Sequence, residues 1–187
     1  MIFQQGKLAI RKLMKKDVPF LMKWLGDSDI LRYYEGRDSA FDEKEIEEKF
    51  VNREDETTRC LVLLDNKPIG YFQYYPLGRD EKEEWYNDYS GIVYGTDQFI
   101  GEPAYWNHGI GTWLVRATCQ FLTKELHADK VVMDPQTRNT RAVYVYEKCG
   151  FKKVRLLPGH EWHEGAYRDC WLMEYSGEQD AKVRSET

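Results

Sequence analysis

Hydrophobic positions along the first fifty residues predict one strand followed by two helices. Apolar residues alternate loosely with polar ones from Lys7 to Leu13, which indicates a strand. A helix can begin after Asp17, whose side chain is a suitable N-cap. The segment from Phe41 to Asn52 predicts a second helix, with Asp42 as its cap and Glu45 three residues later.

The middle of the chain predicts strands of a sheet. The β-rich runs Cys60 to Leu64 and Ile69 to Tyr75 flank a turn at residues 65–68, so they predict a hairpin. Arg79 to Ser90 is rich in acidic and aromatic residues and predicts a long loop. A further strand is expected from Ile92 to Ile100.

Helix and strand patterns alternate in the next fifty residues. A helix from Gly111 to about His127 presents one apolar stripe. Lys130 to Met133 is a short strand of the kind expected when both faces of a sheet are covered. A second helix, Arg138 to Cys149, ends at Gly150, a usual C-terminal cap. This order predicts a strand–helix–strand crossover at the centre of the fold.

The end of the chain predicts two more strands, Phe151 to Leu156 and Asp169 to Tyr175, separated by a loop from Pro158 to Tyr167. Residues 176–187 form a polar tail. The sequence therefore predicts a single mixed α/β domain over residues 1–175.

Composition narrows the function classes. A chain of 187 residues with 42% hydrophobic content suits one domain. A net charge of −5 without a dense Lys/Arg run argues against nucleic acid and favours cationic ligands. No apolar run approaches a membrane span and no secretory signal is recognisable, so we expect a cytoplasmic protein without membrane partners.

The cysteines and histidines do not predict a metal site. The four cysteines lie within apolar patterns, without a C-x-x-C pair, and are expected to be reduced core residues: Cys60, Cys119, Cys149 and Cys170. His108, His160 and His163 are expected to be loop histidines without a metal partner.

Candidate chemistry begins at the segment Trp106 to Thr112. Gly109 and Gly111 stand between a predicted strand and a predicted helix, where a backbone can approach a phosphate and the helix N-terminus offers free N–H groups. Such a Gly-x-Gly is also common in tight turns. It lacks the third glycine of a dinucleotide site and the Gly-Lys of a P-loop.

A second motif follows downstream, Asn-x-x-Ala-x-x-x-Tyr-x-x-x-Gly-Phe, from Asn139 to Phe151. Together with the glycine loop it resembles the GNAT superfamily of acetyl-CoA-dependent N-acetyltransferases. The loop pattern of that family is complete except that Trp106 stands where Gln or Arg is usual. The resemblance implies the GNAT fold, an α/β (α+β) mixed sheet flanked by helices, in which two central parallel strands splay apart around the cofactor.

Three longer segments are similar to the aminoglycoside 6′-N-acetyltransferases: Tyr94 to Thr112, Leu157 to Gly165, and Asp169 to Tyr175. The likeness is greatest to the acetyltransferase half of the bifunctional Gram-positive resistance enzymes. It implies acetyl-CoA as cosubstrate, no metal, and a role in antibiotic resistance. The residues that the family pattern assigns to the cofactor are Gln98, Phe99, Ile100, Trp106, Asn107, His108, Gly109, Ile110, Gly111, Thr112, Asn139 and Ala142.

Two residues are candidates for catalysis. Asp97 interrupts an otherwise apolar strand, where an aspartate is disfavoured unless it has a function or a structural acceptor role. It could hold the substrate ammonium and accept its proton, helped by a raised pKa in a dry site. Tyr146 could give a proton to departing coenzyme A, although its helical spacing with Val143 also suits a core residue. The carbonyl would be polarised by a backbone N–H within residues 98–100.

Candidates for binding a cationic sugar are carboxylates and aromatic residues. Asp134 precedes a proline and is either a second carboxylate of the site or a turn residue. Acidic and aromatic residues between Gly78 and Ser90 suit a polycation or a solvated loop equally. The weaker candidates are Tyr74, Glu161, Glu164 and Trp24.

The resemblance implies an acetyltransferase acting directly on the 6′-amine of an aminoglycoside in a ternary complex, as a monomer or weak homodimer. Two different functions stay open. One is acetylation of another amine, such as a polyamine, a lysine-type siderophore precursor or a protein N-terminus. The second is a module that binds acyl-CoA or drug without turnover.

Overall fold

The fold is a mixed sheet in a computed structural model that describes residues 1–39, 41–86 and 89–177. Within these ranges eight strands lie in the order β1-β2-β3-β4-β5-β6-β8-β7. The strands are β1 (Phe3–Gln5), β2 (Leu8–Lys12), β3 (Thr58–Leu64), β4 (Lys67–Pro76), β5 (Val93–Ile100), β6 (Lys130–Met133), β7 (Lys152–His163) and β8 (Ala166–Tyr175). Neighbours are antiparallel except β5 and β6, which run parallel.

Helices cover both faces of the sheet. They are α1 (Val18–Trp24), α2 (Ser28–Leu31), α3 (Glu43–Ile46), α4 (Arg79–Tyr86), α5 (Ile110–Lys124) and α6 (Thr140–Lys148). Leu61 and Leu63 of β3 pack with α1 to α3, whereas Cys60 and Val62 pack against α5. Because side chains alternate along a strand, β3 is apolar from Cys60 to Leu64 and packed on both faces. All four cysteines are buried and free, as expected.

The parallel strands β5 and β6 separate in the middle of the sheet. Their pairing ends at Gly95 and Val132, while β5 continues to Ile100 paired only with β4. On the side that faces β6, the backbone groups of residues 96–99 therefore have no strand partner and can bind a ligand. The predicted GNAT fold with two splayed parallel strands is confirmed.

The predicted loop from Pro158 to Tyr167 is wrong. Strands β7 and β8 form a long hairpin that turns at Glu164 and Gly165. Pro158 fits because β7 is the edge strand and its pairing with β8 shifts between Leu157 and Glu161, so no ladder N–H is lost. His160 and His163 consequently lie in a strand and not in a loop.

The predicted loop from Arg79 to Ser90 is also wrong, because its first part is the helix α4. Trp85 and Tyr86 pack against the buried cluster that contains Leu77 and Val93, so the aromatic residues serve the core. The side chains of Glu81 and Glu83, and all of Asp88, lie outside the described residues. So does most of the predicted tail, residues 178–187.

The two predicted helix caps have different outcomes. Asp42 accepts a hydrogen bond from Glu45 N at 2.8 Å and the Glu45 carboxylate accepts one from Asp42 N, which confirms the capping box. Asp17 precedes α1 but makes no cap hydrogen bond to it. Its carboxylate instead pairs with both terminal nitrogens of Arg11, at 2.6 and 2.7 Å, and accepts from Met14 N.

Candidate active site

A cavity of about 690 Å³ opens where β5 and β6 separate. Its walls come from β5, the glycine loop, α6, the end of β6 and the hairpin β7–β8. Most of the predicted site residues line it: Asp97, Gln98, Phe99, Ile100, Trp106, Asn107, Gly109, Gly111, Thr112, Asp134, Asn139, Ala142, Tyr146 and Glu161. The sequence therefore identified most of one continuous surface.

The glycine loop enters α5 through a left-handed residue. Gly109 has φ +78° and is the N-cap residue, without a side-chain cap. A Cβ added at Gly109 or Gly111 would meet no atom within 4 Å, so both glycines border open space. The first N–H groups of α5 have no partner within the helix. The loop can therefore hold an anion such as a coenzyme phosphate.

Trp106, the residue that departs from the family pattern, fixes the start of this loop. Its Nε1 donates to the carbonyl of Ile100 at 2.7 Å. The guanidinium of Arg141, on α6, lies 5.3 Å from the centre of the indole ring. The loop thus has a cation beside it, although Trp106 itself carries none.

Two of the residues assigned to the cofactor do not line the cavity, and one is partly engaged elsewhere. His108 is exposed, and Ile110, the first residue of α5, packs against the core cluster that contains Val62 and Leu114. Asn139 does line the cavity, but its Oδ1 accepts from Ala142 N at 3.2 Å and caps α6.

Asp97 lies beside the separated strands. Gln73 Nε2 donates to its Oδ2 at 2.8 Å, and Tyr71 in turn donates to Gln73 Oε1 at 2.7 Å. Burial, followed by the negative charge of Asp134, raises the pKa of Asp97 to about 7. A carboxyl group with this pKa is a far better proton acceptor at neutral pH than an ordinary aspartate.

Tyr146 projects from α6 toward the same opening. Its hydroxyl oxygen accepts a hydrogen bond from Gln98 Nε2 at 2.9 Å. Burial raises the pKa of Tyr146 above its ordinary value, and the Gln98 hydrogen bond acts in the opposite direction. The phenol is therefore protonated across the physiological pH range.

Asp134 is paired with a histidine to which the sequence assigned no role. His160 Nε2 lies 2.9 Å from Asp134 Oδ2, and this contact raises the pKa of His160. The ring of Trp85 is 5.9 Å from that of His160. The pair joins the end of β6 to β7, and it became possible only because residue 160 is in a strand.

Glu161 lines the cavity and is held by Gln136, whose Nε2 donates to its Oε2 at 2.9 Å. Glu164, predicted beside it, instead pairs with Arg37, whose Nε lies 2.6 Å from Oε1. This pair and the Arg37 backbone N–H lower the pKa of Glu164 to about 2. Glu164 is therefore a tie between segments and does not line the cavity.

Trp24 and Tyr74 are likewise placed in the core. Trp24 is fully buried, and its Nε1 donates to Glu102 at 2.9 Å. Tyr74 stacks on Phe72 and packs edge-on against Phe121, on the α5 side of the sheet. Neither side chain reaches the cavity, because strand alternation and helix packing point both into apolar clusters.

One wall of the cavity was not predicted from the sequence. It comes from α2 and the turn after it, and its lining residues are Asp29, Ile30, Tyr33, Tyr34 and Glu35. The sequence signal that could have predicted this wall is the run Tyr33-Tyr34-Glu35, which lies between the first two predicted helices. Gln73 and Tyr75 on β4 were also missed, since alternation alone does not tell which face meets a ligand.

The described residues contain no group of three or more His, Cys, Asp or Glu side chains that could hold a metal ion. In the same part of the chain, no helix is long and apolar enough to cross a membrane.

Comparisons with known proteins agree with this geometry. A family model described as an acetyltransferase (GNAT) domain matches residues 13–158. An aminoglycoside N(6′)-acetyltransferase type 1 from Klebsiella pneumoniae is 28% identical over 149 residues, which are 78% of this chain and 74% of that protein.

Two solved structures are similar over nearly the whole chain. AAC(6′)-Ib in complex with ribostamycin and coenzyme A is 26% identical, with a TM-score of 0.74 over 97% of this chain and 99% of that one. Spermidine N-acetyltransferase from Vibrio cholerae in complex with coenzyme A and spermine is 20% identical. It has a TM-score of 0.71 over 91% and 96% of the chains, and this likeness shows the fold alone.

Proposed function

Because the chain belongs to the GNAT acetyltransferase family, we propose that it transfers the acetyl group of acetyl-CoA to the 6′-amine of an aminoglycoside, directly and in a ternary complex. One observation carries the proposal: Asp97 has a raised pKa and lines the cavity together with the carboxylates of Glu35, Asp134 and Glu161. The relatives that act on aminoglycosides support the choice of acceptor.

The cofactor half of the site fits acetyl-CoA. The open loop at Gly109 and Gly111 suits the pyrophosphate, with Arg141 as an additional cation. The edge of β5 at residues 98–100, which does not pair with β6, suits the amide groups of the pantetheine arm, between β5 and β6. The thioester supplies an activated acetyl carbon, and a backbone N–H of this edge would polarise its carbonyl.

The proposed catalytic roles belong to Asp97 and Tyr146. Asp97 would hold the ammonium of the acceptor and take its proton, which leaves a neutral nitrogen to form the new C–N bond. When the C–S bond breaks, its electron pair goes to sulfur. The Tyr146 hydroxyl would then donate a proton to that sulfur.

The acceptor half of the site suits a molecule with several ammonium groups. Asp97, Asp134 and Glu161 line the cavity, and so do Glu35, Tyr33 and Tyr34. Opposite charge and aromatic faces both stabilise a polycationic sugar.

A polyamine is the second candidate acceptor, since the same carboxylates would bind it and the fold is shared with a spermidine acetyltransferase. A siderophore-type lysine and a protein N-terminus are further candidate acceptors, and binding without turnover is the candidate non-enzymatic function. The catalytic pair Asp97 and Tyr146 favours turnover. We also propose that the protein is most similar to the acetyltransferase half of the bifunctional Gram-positive enzymes. It would act in the cytoplasm, as a monomer or weak homodimer.

The proposal is tested by release of coenzyme A thiol from acetyl-CoA, with kanamycin, spermidine and lysine as separate acceptors. We expect kanamycin to give the highest kcat/KM, rising with pH through about 7 as Asp97 ionises. Asp97→Asn should lower kcat/KM by a factor on the order of 100, because the amide cannot accept the proton. Asp65→Asn, at an exposed turn, is the matched control.

Release of coenzyme A with spermidine but not with kanamycin would contradict the aminoglycoside as acceptor and would still support an acetyltransferase. Calorimetric binding of coenzyme A without turnover of any acceptor would favour a binding module.

A further inference from the structure

The side chain of Gln98 bridges the opening between the separated strands. It extends from β5, and its Nε2 lies 2.9 Å from the Tyr146 hydroxyl on α6 and 3.6 Å from Met133 Sδ on β6. Its Oε1 is buried without a hydrogen-bond partner among the described residues. An unsatisfied buried amide oxygen costs free energy, so the position of this side chain calls for an explanation.

The direction of this hydrogen bond determines where the phenol proton lies. Gln98 donates and the Tyr146 oxygen accepts, so the Tyr146 O–H must point away from the amide. Both residues line the cavity, so the O–H can point into it. The proton is therefore free for a group that enters between the strands.

We propose that Gln98 is a positioning residue, which aims the Tyr146 O–H at the sulfur of departing coenzyme A and stabilises the phenolate formed as the proton leaves. The inference rests on the proposed function. As the C–S bond breaks, sulfur keeps the electron pair and takes the Tyr146 proton. The negative charge then resides on the Tyr146 oxygen, where the Gln98 N–H strengthens as a charge-assisted hydrogen bond.

This assistance is needed because proton transfer from Tyr146 to a thiolate is otherwise unfavourable. An ordinary thiol is a stronger acid than an ordinary tyrosine. Burial raises the pKa of Tyr146 further, and the charges of Asp97 and Asp134 act in the same direction. The hydrogen bond from Gln98 lowers the pKa of Tyr146. Loss of Gln98 should therefore slow the step in which the C–S bond breaks.

The kinetic test is a double-mutant cycle between residues 98 and 146. Gln98→Met keeps the side-chain volume but has no N–H donor, and should lower kcat roughly tenfold with the KM for acetyl-CoA nearly unchanged. In a Tyr146→Phe background the same change should have less than about a twofold effect. Gln98→Glu should be equally slow, since its carboxylate captures the phenol proton. Gln120→Met, the same change at an exposed glutamine on α5, is the control.

Additive effects of Gln98→Met and Tyr146→Phe would overturn the proposal, because a merely structural residue does not act through Tyr146. A second readout needs no acceptor: the ultraviolet absorbance of the thiolate, titrated for coenzyme A bound to each protein. We expect both variants to raise the pKa of the bound thiol, Tyr146→Phe by more than Gln98→Met, because the second keeps a weakened phenol donor. The double variant should raise it no further than Tyr146→Phe.

If the pKa of the bound thiol were unchanged in Gln98→Met, the proposed role of Gln98 would also be overturned. This readout separates the two proposals, since a wild type that turns over no amine refutes the enzyme while the thiol titration still decides the role of Gln98.

Discussion

At the scale of single residues, the site is controlled by what surrounds Asp97. One hydrogen bond from Gln73 stabilises its charge, but burial and the carboxylate of Asp134 outweigh that bond and raise its pKa. The protein therefore holds an aspartate in a state that disfavours ionisation. Such a group is useful as a proton acceptor at neutral pH, and it reduces stability there.

We expect Asp97→Asn to stabilise the protein at about pH 8 and to leave its stability unchanged near pH 4. The folded-state pKa is raised, so the contribution of the aspartate to stability is complete below its ordinary pKa of about 3.9. This contribution is lost as pH rises to about 7, the folded-state pKa. Thermal unfolding of both proteins at the two pH values measures the difference. A lower Tm of the variant at the higher pH would contradict it.

At the scale of elements, one buried ion pair joins the first strand of the core to the first helix. Asp17 is 1% exposed, and Arg11 on β2 contacts both of its oxygens. Through this pair the residue predicted as a helix cap fixes the position of α1, and so the wall of helices on that side of the sheet.

Asp17→Asn should lower the free energy of unfolding by roughly 3 kcal/mol at neutral pH, because Arg11 would keep a partly buried charge without its partner. The Arg11 contact lowers the pKa of Asp17. The loss should therefore be full above pH ~4 and shrink as pH falls through the folded-state pKa. Urea unfolding across this range measures it. Asp65→Asn, whose partner Lys7 is 71% exposed, should change stability little.

The hairpin β7–β8 is the element on which pattern reading failed most. Pro158, Gly159 and Gly165 within nine residues predict a loop by local rules. An edge strand tolerates this proline and a register shift accommodates Gly159, so pairing with β8 overrides the local signal. That outcome brings His160 to Asp134 and Glu161 into the cavity.

At the scale of the whole molecule, distant segments meet around the cleft. The turn of the hairpin is tied to the segment after α2 by Glu164 and Arg37, and His163 Nε2 lies 3.1 Å from the carbonyl of Arg32. The segment between these contacts carries Tyr33, Tyr34 and Glu35 to the cavity. This wall of the cavity therefore depends on contacts between residues more than a hundred positions apart.

We expect Glu164→Gln to raise the KM for the aminoglycoside several-fold. Arg37 loses a charged partner, so the segment that carries Tyr33, Tyr34 and Glu35 to the cavity is held less rigidly. The KM for acetyl-CoA should not change, since the glycine loop lies on other elements. Steady-state kinetics with each substrate varied measures both. Glu48→Gln, at an exposed pair with Lys44, is the control. An equal rise in both KM values would argue for a general loss of structure.

The sequence by itself determined the local structure and the chemistry that depends on it. Hydrophobic periodicity specifies most strands and helices, because each period reports one face packed against a core. The glycine loop and the motif from Asn139 to Phe151 are continuous in sequence, so the cofactor half of the site and the family could be identified from them. Tyr146 was predicted from the same motif and Asp97 from its place in an apolar strand, and both line the cavity.

Only the tertiary structure decided which side chains meet. Burial of Trp24 and Tyr74, and the pairing of Glu164 with Arg37, depend on packing between elements that no local pattern describes. The raised pKa of Asp97 arises from burial and from Asp134 across the opening, which are properties of the assembled cavity. Local propensity acts over a few residues, whereas these charges and contacts act through space, so they exist only once the sheet has formed.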